Sequence, residues 1–245
     1  LAAIAFAGFM QAPVFAQGNA DPAITKHFTE IRTRTPELVA FLRAMPKGGD
    51  LHSHLVGSAY AEEYIAWGIV EKMCADLKAK KIVNPPCDVG TGRPPLVEAA
   101  RNPALYEGLV DALSTRNYRS RNVAGRTQFF RAFSGFDAVT ETGNGPANNL
   151  ASATRRAADQ NILYLELMFS EGMRAARKIG ARIPWTDNPV RLREILLAAG
   201  IAGLTQKTRA VYDRMERDAA LKLQCPPGAG WQGPFCGVTV RYLPR

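Results

Sequence analysis

Two of the chain's three histidines stand one residue apart, in Asp50-Leu51-His52-Ser53-His54-Leu55. In an extended strand, residues i and i+2 project from the same face. His52 and His54 therefore present two imidazoles side by side, as two ligands of one metal ion would. Neutral imidazole suits zinc, and a catalytic zinc typically takes three protein ligands and a water. The pair supplies two of the three. His-x-His is equally the spacing of two structural histidines that bind nothing, so the surrounding elements carry the argument.

Pro46 and Gly48-Gly49 punctuate the chain before the pair, and Gly57-Ser58 follows it. This predicts a strand over Gly49–Leu55 and a helix over Ala59–Trp67, with the histidines near the strand's carboxyl end. Upstream, Asp21-Pro22 is a helix start. The helix is expected to run to about Ala44, with Ile24, Phe28, Ile31, Leu38 and Leu42 at helical spacing and an interruption at Thr35-Pro36. Downstream, helices are expected over Val70–Ala79, Pro103–Thr115, Thr127–Glu141 and Pro146–Gln160, with a Pro/Gly-rich loop over Lys81–Pro95. Ile162–Phe169 is an apolar run of strand formers and predicts a buried parallel strand. Asp187-Asn188-Pro189 begins a helix to about Lys222, bent at Gly200 and Gly203, and Gly237–Leu243 reads as a third strand. The order strand, helices, strand, helix, strand predicts an α/β chain whose parallel strands are joined by crossover helices.

With 245 residues, 47% of them hydrophobic, the chain can bury a sizeable core. No run is long enough for a mature transmembrane helix. Leu1–Met10 is apolar and Val14-Phe15-Ala16 follows, which reads as a secretory-signal remnant over residues 1–16 cleaved after Ala16. A buried apolar terminus or an anchor is the alternative. The four cysteines fall into two local pairs, Cys74 with Cys87 and Cys225 with Cys236, each beside a Pro/Gly-rich loop. An even count in an exported protein predicts disulfides. A second zinc site is the weaker alternative, because neither Cys-x-x-Cys spacing nor a nearby histidine occurs. The net charge is +9, and Arg116, Arg119, Arg121, Arg126 and Arg131 crowd one segment with Tyr118, Phe129 and Phe130. Such a cluster suits a polyanion surface or a solvated helix face with a loop. The second is expected, with no nucleic-acid partner and no membrane partner for the mature chain.

The string Pro46-Lys47-x-x-Asp50-Leu51-His52-x-His54-Leu55-x-Gly57 resembles the adenosine deaminase family signature Pro-Lys-x-Glu-Leu-His-x-His-Leu-Asp-Gly. Tyr164-Leu165-Glu166-Leu167 is similar to that family's second strand, and Thr127–Phe133 resembles the helix that walls its substrate pocket. The resemblance implies a (β/α)8 TIM barrel with its site at the carboxyl ends of the strands. Residues 17–245 would be the N-terminal, incomplete portion of that barrel, with a helical extension ahead of it. The cysteine-bearing insertion and the N-terminal helix resemble the exported, growth-factor-like branch, which implies a periplasmic or extracellular location.

It further implies one zinc ion on His52 and His54, and substrate contacts from His54, Gly57, Phe129 and Phe130. The implied reaction is hydrolytic deamination of a purine nucleoside such as adenosine to inosine and ammonia, by water activated on the zinc. The family's third histidine ligand, its His-x-Gly-Glu general acid and its aspartate pair are not found in these 245 residues, so no catalytic residue is assigned in this chain. His27 is expected as a surface or packing residue. Val56 stands where cytosolic members carry a ribose-contacting aspartate, which leaves room for an amidohydrolase with a non-nucleoside substrate. An exported, non-catalytic basic binding domain is the other alternative. Glu166 is read as an active-site acid with a raised pKa or, preferably, as the partner of an arginine in the barrel wall. Phe133 is expected in the core.

Overall fold

Local caps set the first elements. In the computed structural model, which describes residues 21–120, 122–225 and 235–243, the Asp21 carboxylate accepts from the Ala23 N–H at 2.8 Å and starts α1 (Pro22–Ile31). The signal-like segment 1–16 and Arg121 lie outside the described residues. The expected interruption occurs where Pro36 restarts the helix as α2 (Thr35–Ala44). Phe28 and His27 of α1 both meet the Phe41 ring of α2, at 5.7 and 5.8 Å between centroids. His27 is thus a packing residue. The described residues up to Met45 form a unit of their own, and those from Pro46 onward form a second.

The second unit begins with β1 (Gly49–His54) and α3 (Ala61–Val70). Instead of a helix over Val70–Ala79 and a bare loop after it, the chain forms an antiparallel hairpin, β2 (Cys74–Asp76) with β3 (Lys81–Val83). Helical spacing loses here to pairing. Ala75 is fully buried and donates its N–H to the Pro94 carbonyl at 2.9 Å, and Lys72 and Lys80 turn the chain at positive φ. Then follow α4 (Leu96–Arg101), α5 (Pro103–Ala112), α6 (Gly125–Glu141) and α7 (Gly145–Asp159). The Cys74–Cys87 disulfide ties the hairpin to its loop.

Beyond α7 come β4 (Tyr164–Met168), α8 (Met173–Gly180), α9 (Pro189–Ala198), α10 (Ile201–Lys222) and β5 (Thr239–Leu243). Asn188 caps α9 by accepting from Val190 and Arg191. The long helix expected after it is broken at Gly200 (φ +91°), while Gly203 sits inside α10. The second disulfide, Cys225–Cys236, joins the end of α10 to the approach of β5. No helix among the described residues is long and apolar enough to cross a membrane.

The main sheet is parallel, in the order β1-β4-β5, which makes the chain a mixed α/β protein. Its two faces differ. Along β4, Leu165 and Leu167 are buried while Tyr164, Glu166 and Met168 are half-exposed. The buried side packs with Leu55, Leu150, Ala151, Met215 and Ala219, so α7 and α10 cover it. A second core, around Tyr64, Ile65, Ile82, Leu96, Val110 and Phe136, is built from α3, the hairpin and α4 to α6. These elements lie between β1 and β4 in sequence. Leu167 has no exposed surface, so Leu167→Ala should destabilise the protein by about 2–5 kcal/mol through lost burial and a residual cavity, as read by urea denaturation.

Candidate metal pair and neighbouring cleft

The register across the sheet decides what shares its open face. Gly49 pairs with Tyr164 and His54 with Met168, but Asp50 pairs with Leu165 and Ser53 with Leu167. Three residues of β1 are thus spent against two of β4. Leu51 and His52 together stand opposite Glu166, which is a β-bulge. His52 and His54 are both exposed, and their ring centroids lie 5.7 Å apart at an interplanar angle of 51°. The Asp50 carboxylate accepts from the His52 N–H at 3.1 Å, which holds the backbone of the bulge.

Two imidazoles at this separation fit a shared ion with metal–nitrogen distances of about 2.0–2.1 Å. Among the described residues, no group of three or more His, Cys, Asp and Glu side chains is placed to hold a metal. The pair therefore fits two positions of a zinc site and no more.

Glu166 lies on the same face. It accepts from the Tyr164 hydroxyl at 2.9 Å, and Arg241 is its register partner on β5. The hydrogen bond to the Glu166 carboxylate, with its charge close by, raises the Tyr164 pKa. Arg241 directs its Nη1 to the Val240 carbonyl at 2.9 Å. The open face thus carries the row His52, Glu166, Arg241.

A cleft of about 360 Å³ opens just past β1. Gly57, Tyr60 and Glu62 form one wall, Ser114 and Arg116 a second, and Phe129 and Phe133 a third. Of the substrate contacts that the family resemblance implies, Gly57 and Phe129 meet here. His54 and Phe130 do not line this cleft. Phe130 is 61% exposed, with the Arg126 guanidinium 5.6 Å over its ring. Phe133, expected in the core, both lines the cleft and packs on Phe136 at 5.3 Å. Gly57 has φ +93°, and a Cβ there would fall 2.9 Å from the Phe133 ring, so the close approach of turn and aromatic wall requires glycine. Val56 packs into the core of α3 to α6 instead of lining the cleft.

The turn that bears Gly57 is fixed by groups the sequence reading did not single out. The Gly57 N–H donates to the Tyr64 hydroxyl at 3.0 Å, which donates to Asn149 Oδ1 at 3.2 Å, while Asn149 Nδ2 donates to the Gly145 carbonyl at 2.9 Å. Tyr64 and Asn149 are each about 1% exposed. Burial pushes the Tyr64 pKa up to about 12, so the hydroxyl keeps its proton at neutral pH. Arg156 donates to the Ser58 carbonyl and pairs with Glu63 at 2.8 Å. Glu63 also accepts from Ser152 and from the Tyr60 N–H. Burial alone would raise the Glu63 pKa, but these hydrogen bonds and the Arg156 charge outweigh it and lower the value below its ordinary 4.5. The buried Gln128 amide donates to the carbonyls of Asp111 and Ala112 and to that of Ser114, a residue of the second wall, and ends α5. The available signal was a lone amide on the apolar face of each helix, Asn149 in α7 and Gln128 in α6.

The arginine-rich segment is largely occupied. Arg116 bonds Asp111 at 2.7 Å and Glu107 at 2.5 Å, and Arg119 lies over the Tyr118 ring.

Tyr64→Phe leaves the Gly57 N–H and Asn149 Oδ1 without their partner and should cost about 1–3 kcal/mol in denaturant unfolding. The lowered pKa of Glu63 gives a stabilisation that is complete above the ordinary carboxylate value and is lost as pH falls through the folded value. Glu63→Gln should therefore lower the melting temperature at neutral pH and narrow the gap to wild type in acid, as read from melting curves against pH. No family model, curated protein or solved structure matches this chain.

Proposed function

We propose that the chain is the N-terminal portion of a zinc-dependent hydrolase of the adenosine deaminase type, built on a (β/α)8 barrel and exported from the cell. The observation that carries the reading is the paired, exposed imidazoles of His52 and His54 on one face of a parallel strand. The neighbouring cleft, with its glycine turn and aromatic wall, supports it. Two disulfides are compatible with export.

His52 and His54 would hold one zinc ion, with further ligands from outside these residues. Bound there, zinc supplies a Lewis acid and a water of lowered pKa. The residues of this chain orient and exclude. Asp50 holds the His52 backbone, Tyr64 and Arg156 hold the turn at Gly57 and Ser58, and Phe129 with Phe133, set edge to face at 75°, offer an apolar wall for a flat heterocycle. The third ligand and the general acid have no counterpart in this sequence, so the chain by itself is read as inactive.

One observation favours a second reading, an amidohydrolase with a non-nucleoside substrate. The Val56 side chain packs into the core, so this position offers no acceptor to a ribose hydroxyl.

The test is zinc content and turnover of the protein encoded by the complete gene. His52→Ala and His54→Ala should each lower zinc content and cut deamination of adenosine by more than the roughly 10–100-fold typical of losing an outer-shell partner, with far-UV circular dichroism unchanged. Full zinc occupancy in both variants would refute the assignment of the pair. Zinc-dependent hydrolysis of cyclic amides without adenosine turnover would select the second reading.

A further inference from the structure

From Met173 to Thr186 the chain carries four basic residues and no acidic one, in Met-Arg-Ala-Ala-Arg-Lys-Ile-Gly-Ala-Arg-Ile-Pro-Trp-Thr. The stretch covers α8 and the turns after it. Met173, Ala176 and Ile179 are half-buried, at the spacing of one helix face, and α8 packs on α10. Arg177, Lys178 and Arg182 are exposed on the remaining surface. Among the described residues none of the three is in an ion pair. That sets them apart from Arg116, Arg119, Arg126 and Arg156, which are held by carboxylates or aromatic rings. Three residues after Arg182 stands Trp185, at 79% the most exposed large apolar residue among those described, with its Nε1 donating to Asp187 at 2.9 Å.

We infer that α8 and the turn bearing Trp185 form a docking surface for an anionic lipid bilayer. Cations attract the headgroups while their alkyl stems lie along the boundary. An exposed indole gains by settling at the depth of the headgroups, where one end is apolar and the other wet. A soluble polyanion would engage the arginines but would leave the indole in water, so the pairing of free cations with an exposed tryptophan favours lipid. The contact is peripheral and needs no spanning helix. The expectation from sequence named no membrane partner for the mature chain, and this surface adds one. It stands independently of the zinc reading.

The experiment is co-sedimentation of the protein with phosphatidylcholine vesicles, with and without phosphatidylglycerol, at low and high salt. Binding should require phosphatidylglycerol and weaken at high salt. The triple variant R177E/K178E/R182E should bind about tenfold or more weakly, with R177Q/K178Q as a milder variant showing the same direction should the triple variant misfold. A blue shift of tryptophan emission on vesicle addition should disappear in Trp185→Phe. R119E/R126E should stay within about twofold of wild type, since those side chains are already engaged. Equal binding to neutral vesicles, no binding to anionic ones, or unchanged binding by both charge variants would overturn the inference. So would binding without any change in Trp185 emission, since that is the signature of a polyanion site alone.

Discussion

One buried hydroxyl, that of Tyr64, connects the parts on which the rest depends. Its ring belongs to the core of α3 to α6, stacked on Phe136 at 4.4 Å and edge-on to Trp67. Its oxygen accepts from the turn after β1 and donates to Asn149 on α7, whose neighbours Leu150 and Ala151 form the sheet's own core. Two hydrophobic cores are thereby held in one register by a polar link in a low-dielectric setting, where such bonds are strong and their loss is costly. Arg156 repeats the connection about two turns further along α7, through Ser58 and Glu63. The geometry at the carboxyl end of β1 is thus set from helices and is not left to the loop itself.

The sheet divides its chemistry between its faces. Leu165 and Leu167 look toward α7 and α10, while the other face carries imidazole, carboxylate, phenol and guanidinium groups from three strands. The bulge at Leu51 and His52 matters to this division. It absorbs one residue of β1, so that Asp50 and Ser53 stay in register with the buried leucines while His54 stays beside Met168. The aromatic cleft is a separate feature beyond the strand. It shares with the histidine pair only the short connection through Val56 and Gly57.

Features written in adjacent residues were legible in the sequence. Asp21-Pro22 and Asn188-Pro189 cap their helices as expected, and the apolar run around Leu165 is a parallel strand between two others. The cysteines pair locally, across sequence separations of only 13 and 11 residues. Features that depend on distant partners were not legible. The hairpin at Cys74 replaced a helix because its edge pairs with Pro94 and because two lysines adopt left-handed backbone. Gly200 broke a helix that periodicity would only have bent. In the site, the i, i+2 rule foresaw the side-by-side histidines, and glycine spacing foresaw the turn. Tyr64, Asn149, Glu63 and Arg156 escaped notice because their meaning lies in contacts that bridge α3 and α7, far apart along the chain. Glu166 was expected to find an arginine. Arg241 is indeed its neighbour in register, yet the hydrogen bond it accepts comes from Tyr164, two residues away on its own strand.

The placement of the α3 to α6 core within the chain has a kinetic consequence. Its members, from Ala61 to Val139, are closer in sequence than Gly49 and Tyr164 and lie wholly between two strands that must themselves pair. Contacts of short sequence separation form early, since little chain entropy is lost in closing them. Pairing of Gly49 with Tyr164 then no longer requires closure of a long flexible loop, because the intervening residues are already collapsed. The inserted core thus shortens the effective distance between β1 and β4, and a mutation that unsettles Ile65 or Leu96 would slow assembly of a sheet to whose core neither residue belongs.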